Sequence, residues 1–262
     1  MTDLSHAIRQ ALLTSDPLAK VKATRALVRG YRRGHLAAGF SVEMPDRPAW
    51  PASLVIAQPG AMPKRGKGGS ERNRRALWHA IGHIEFVAID LALDLVGRFG
   101  AGMDADFTAD FLSVAADEAM HFVLIERKLR SLGTAYGQLP VHDGLWSAAK
   151  ATCDDVAARL AVVPMVLEAR GLDVTPATIE RVQAQGDTGG ARILKRILDD
   201  EIRHVAAGAK HFERISRTRG KSPDSWWVEL VRERFAGAVK PPFNDSARLA
   251  AGLSRNAYLA LA

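Results

Sequence analysis

The string Asp-Glu-x-x-His occurs twice, as Asp117-Glu118-Ala119-Met120-His121 and as Asp200-Glu201-Ile202-Arg203-His204. Each copy follows another glutamate by 33 residues: Glu85 precedes Glu118, and Glu168 precedes Glu201. Residues three apart share one face of a helix, so Glu118 with His121, and Glu201 with His204, can grip the same ion. The flanks repeat with a helical period. Leu77, Ile81, Glu85, Ala88, Ala92 and Val96 form one apolar face, and Phe111, Val114, Glu118, His121, Phe122, Ile125 and Leu129 a second. A further face runs through Leu194, Ile197, Glu201, His204, Val205, Gly208 and Phe212. Four carboxylates set among apolar side chains would be prohibitive to bury alone. Two divalent cations would offset them. The pattern therefore predicts an all-α fold, a four-helix bundle with a two-metal site in its interior.

Four long helices are predicted, over 71–96, 104–132, 145–170 and 190–217, the first ended by the glycines at 97, 100 and 102. The first connection is short, which predicts antiparallel neighbours. The second, from Gly133 to Gly144, stretches to roughly 40 Å. Thr175-Pro176 reads as the cap and start of a short extra helix. Pro164 should kink the third helix one turn before Glu168, either opening the site or as a tolerated irregularity. Residues 1–38 read as one or two helices, with Asp16 as cap and Pro17 at the first helical position. Prolines 45, 48, 51, 59 and 63 exclude helix from 40–70. That segment should wrap over the bundle through Phe40, Val42, Trp50, Leu54, Val55 and Ile56. The tail from Pro223 should pack on the bundle and close with a helix-like stretch over 244–262. The organisation expected is 1–70 as N-terminal helices and wrap, 71–218 as the metal bundle and 219–262 as appendage, together one globular unit.

Composition narrows the class. The 262 residues are 47% hydrophobic, enough for a sizeable core. No uncharged apolar stretch approaches the roughly 20 residues a bilayer crossing needs, so no membrane partner is expected. The N-terminus carries no signal-peptide pattern. The single cysteine, Cys153, excludes an internal disulfide, fits a reducing cytoplasm, and reads as a small buried hydrophobe. The net charge of +7 gathers in Lys64, Arg65, Lys67, Arg72, Arg74 and Arg75. Such a run is most simply a solvated basic face, and otherwise a track for a phosphate backbone.

The metal ligands predicted are Glu85, Glu118, His121, Glu168, Glu201 and His204. Asp117 and Asp200 stand one turn before the histidines and are expected to accept their outer ring N–H. Oxygen ligands with imidazole suit two iron ions, with manganese or a mixed manganese–iron pair as alternatives. His79 and His83 point off the ligand face and read as surface or core histidines. His211 reads as a polar cap at the bundle end, and Trp226 and Trp227 as packing for the tail.

These ligands, with the strings HIEFVAIDLALD, DEAMHF, PMVLEARGLD and DDEIRH, resemble the ferritin-like di-iron carboxylate superfamily. Within it they are most similar to an uncharacterised bacterial ferritin-like family of unknown function. The resemblance covers 71–215 and implies a ferritin-like bundle with one long crossover. It implies that Glu118 and Glu201 bridge the metals, with Glu85, His121, Glu168 and His204 as terminal ligands. It also implies chemistry like that of hydroxylases, oxidases or iron stores. One branch hydroxylates a prenylated adenosine in tRNA, which makes tRNA a substrate class to set beside small molecules.

Three functions follow as expectations. The first is an O2-dependent di-iron oxidoreductase, a hydroxylase or monooxygenase served by an electron donor, as a monomer or small homo-oligomer. The second is a non-catalytic iron-binding or iron-oxidising protein. The third is an RNA-binding module pinned by a structural metal. A radical-generating subunit fits less well, because Tyr31, Tyr136 and Tyr258 all lie off the ligand faces.

Overall fold

The computed structural model describes residues 3–63 and 69–262. Lys64, Arg65 and Lys67 of the basic run lie outside them. The chain divides into two compact units, Met1–Trp146 and Ser147–Ala262, and the described residues of both are helical, with two isolated bridges and no strands. The division falls inside the span 71–218, within the short helix α5 (Gly144–Lys150).

The first unit opens with α1 (Leu4–Leu12) and α2 (Pro17–Arg32). Asp16 caps α2 by accepting from the Ala19 amide, and Pro17 fills its first position, as expected. Two long helices follow, α3 (Glu71–Phe99) and α4 (Ala105–Ser131). Ser70 and Asp104 cap them, accepting from Asn73 and Phe107 amides; each cap stabilises by about 1 kcal/mol. Helix α3 does not stop at Gly97 but runs through it to Phe99. The glycine serves close approach instead: Met44 lies where a Cβ at Gly97 would be, and the Phe40 ring lies against Gly100.

Residues 40–63 wrap on this unit without forming an α-helix; their one helical turn is 3-10 (Pro59–Ala61). Trp50 Nε1 donates to Asp90 on α3, and Arg98 donates to the Pro45 carbonyl. The anchors differ in part from those expected. Leu54 is buried as expected and Met44 joins it, whereas Val55 and Ile56 are exposed; there the backbone pairs instead, the Val55 carbonyl and the Ala57 amide with Val141. Lys20 of α2 is fully buried and donates to Asp90 at 2.5 Å.

The second unit corrects the third predicted helix. Residues 145–170 are broken into α5, α6 (Val156–Val162) and a π-helical turn (Val163–Glu168) that leads into α7 (Ala169–Ala184). Asp155 caps α6, so the chain restarts there. Pro164 lacks the N–H that would bond one turn back, and the ladder slips into π register at that point. Thr175-Pro176 starts nothing; Pro176 lies inside α7. Helix α8 (Thr188–Thr218) is the longest and packs on α6, the π turn and α7. Gly208 admits Pro164: a Cβ there would stand 2.5 Å from the proline Cβ.

The tail belongs to this unit. Helix α9 (Pro223–Arg234) is held by Trp227, whose Nε1 donates to the Ala161 carbonyl, and by Trp226 stacked on Phe212. The stretch 244–262 is two short helices, α10 (Asp245–Ala250) and α11 (Arg255–Leu259). A buried Arg248–Asp173 pair ties α10 to α7. Cys153 is exposed, a correction: it falls in the turn between α5 and α6, where no apolar surface covers it.

Candidate metal centre

In the first unit the α3–α4 hairpin turns three of the predicted ligands to one point. Glu85 comes from α3; Glu118 and His121 come from α4, one turn apart. All three are buried, at 4%, 1% and 0% exposure. His121 Nδ1 lies 3.1 Å from Glu85 Oε2 and 3.4 Å from Glu118 Oε2. One ligand atom from each lies within 4.8 Å of the others, so the cluster could hold a metal ion.

Its electrostatics fit a cation. Burial pushes the His121 imidazole down, but hydrogen bonds to Glu118 and Glu85 and their charges outweigh it and lift it to about 11. Two carboxylates thus hold positive charge on the ring between them. A metal ion bound there would take the place of that proton.

In the second unit, Glu201 and His204 share the inner face of α8, with Glu201 Oε1 3.6 Å from His204 Nδ1. Glu168 closes the π turn, half-buried. Asp200 is buried and accepts from Arg196 at 2.6 Å and Arg203 at 2.5 Å. Asp117 is half-buried on α4. Asp200 thus serves two arginines, a partnership the sequence reading does not contain. Their spacing at i−4 and i+3 would have suggested it.

His79 and His83 are core histidines. His79 Nε2 accepts from the Gly137 and Leu139 amides, at 2.9 and 3.3 Å, so its proton sits on Nδ1. His83 Nε2 faces the His142 carbonyl at 3.1 Å and must donate, which leaves Nδ1 to accept from Tyr136 Oη at 2.9 Å. Burial holds both near 4. His211 is buried too, with Arg214 Nη2 2.7 Å from its Nδ1.

Tyr136, set aside from the sequence as off the ligand faces, lies nearer the cluster than expected. It lies in the loop after α4, yet packs on Phe86 and Phe122, the neighbours of Glu85 and His121. Burial, then the Asp90 charge, raises its phenol. A loop position carries no helical period, so no pattern announces it. Of the described basic run, Arg75 is engaged by Glu71 and the Leu132 carbonyl.

No helix of the described residues is long and apolar enough to cross a membrane. Comparison with known proteins finds similarity to an uncharacterised protein of Haemophilus influenzae, 38% identical over 214 residues, which cover 79% of this chain and 74% of the relative. No solved structure matches the chain. A family model described as "Protein of unknown function (DUF455)" matches residues 13–259, and the chain belongs to that family.

Proposed function

We propose that the protein is a di-iron carboxylate oxidoreductase, an O2-dependent hydroxylase or monooxygenase acting on a small molecule with electrons from a separate donor. The observation that carries this is the buried convergence of Glu85, Glu118 and His121. The same Glu-x-x-His pair recurs on α8, with Glu168 on the helix before it. In this reading α3, α4, α6–α7 and α8 make a ferritin-like four-helix bundle, and the two sets of ligands share a pair of ions.

Glu85, Glu118, His121, Glu168, Glu201 and His204 would hold the ions. When bound, iron supplies the activation of O2 and the oxidation of the substrate. The protein's part is to fix the ligands and to exclude water. Phe86, Phe122 and Tyr136 pack beside Glu85 and His121, and Ala115, Ala119 and Ala88 line the same hairpin without adding polar groups. The lone cysteine supports a cytoplasmic setting, and the chain is read as a monomer or small homo-oligomer.

Elemental analysis of protein from its own host tests the metal, and anaerobic Fe(II) titration followed by O2 tests the chemistry. Two irons per chain and a transient visible absorption on aeration are expected. Fewer than one metal per chain, or no optical change with O2, overturns the proposal.

A further inference from the structure

Helix α2 contains no acidic residue, and none occurs anywhere between Asp16 and Glu43. On its outer face stand Lys22, Arg25, Arg29, Arg32 and Arg33, all exposed. At 100° per residue they fall in one arc of about 100°. Among the described residues no carboxylate pairs with any of the five; Arg32 donates only to Ser113 Oγ on α4. By contrast, several exposed cations on other helices are matched: Lys195 by Asp199, Arg217 by Glu213, Arg130 by Glu126.

Helix stability does not account for the stripe. Cations near a helix C-terminus are favoured, which explains Arg29, Arg32 and Arg33. Lys22 and Arg25 lie outside the last turn, beyond the reach of that effect. Like charges three and four residues apart also oppose one another. Five such cations kept together without counter-charge point to an anion supplied from outside.

We propose that this face of α2 binds the phosphate backbone of a nucleic acid. From Lys22 to Arg33 the stripe is about 17 Å long. A strand carries one phosphate per ~3.4 Å of helix axis, so roughly five phosphates face five cations. Four of the five are arginines, whose fork grips phosphate oxygens in pairs. The stripe holds no aromatic residue, so the contact is to backbone and not to bases. A lipid surface is disfavoured, because Leu18 is the one exposed large aliphatic residue of α2 while Val21, Leu27 and Val28 are buried in the unit, which leaves too little apolar surface to enter a bilayer. The proposal is independent of the metal reading.

The test uses the full chain, a labelled 20-base RNA of mixed sequence, and a labelled 20-base-pair DNA duplex. Fluorescence anisotropy is followed from about 50 to 200 mM salt, the range over which phosphate contacts weaken. The fivefold variant K22Q/R25Q/R29Q/R32Q/R33Q is compared with a control of equal charge, R72Q/R192Q/K195Q/R217Q/K221Q. The stripe variant should lose at least tenfold in affinity, and its log–log salt slope should flatten by about 4. The control should keep most of both. If the fivefold variant does not fold, R25Q and R29Q singly should each flatten the slope by about 1. Equal losses in stripe and control, unchanged binding in the stripe variants, or binding to phosphatidylglycerol vesicles but to neither oligonucleotide would overturn it.

Discussion

His121 sits between two carboxylates, and each of the three groups is tolerable in the interior only because of the others. Replacing an outer partner of a metal ligand already costs roughly 10–100-fold in affinity. Glu118→Ala removes a ligand outright and should cost more than ~100-fold at one ion. Inductively coupled plasma analysis would read this as a loss of at least one metal per chain while circular dichroism stays helical. Lys20 and Asp90 make a second buried dependency, joined by Trp50. Lys20→Met leaves the aspartate without its ammonium and should destabilise by ~3–5 kcal/mol, measured by urea unfolding. Lys20→Met with Asp90→Leu should recover much of that loss.

Among the elements, the α6–α7 segment departs most from a regular helix. Its π turn ends on Glu168, and Pro164 fits only because Gly208 has no side chain. Gly208→Ala should therefore cost ~1–3 kcal/mol by forcing the proline aside, and Pro164→Gly in the same chain, which removes the Cβ it meets, should show a coupling that offsets part of that cost. A double-mutant cycle in urea checks both. This segment also marks where the sequence stops being readable. Glu118 and His121 are legible because their relation is local, three residues on one helix. Helices α3, α4 and α8 are legible because their apolar period is long and uninterrupted. The break before α6 hangs on Asp155 acting as a cap rather than as one polar residue among several, and the π turn hangs on Gly208, 44 positions away. Tyr136 and the burial of His79 hang on where one loop lies. Tertiary choices of that kind leave no periodic trace. Cys153 misleads for a related reason: its residue type is usually buried, but its turn is not.

For the molecule as a whole, metal is expected to act on stability through mass action. At 100 times its dissociation constant a bound ion adds ~2.7 kcal/mol. Calorimetry should show unfolding shift upward with Fe(II) or Mn(II) and fall back with chelator. Acid should act through His79. Its folded value lies near 4, below the 6.5 of a free imidazole, so the contribution is complete above pH 6.5 and is lost as pH falls toward 4. The loss should be on the order of 2–3 kcal/mol. Thermal melts at pH 7 and pH 4.5, compared for the native chain and His79→Gln, would show the smaller acid shift in the variant. The same imidazole holds the amides of Gly137 and Leu139. A proton on Nε2 converts that acceptor into a donor and releases both. The protection factors of those two amides, corrected for the slower intrinsic exchange in acid, should then fall together on acidification, so that a single ring nitrogen sets when this stretch of backbone opens to solvent.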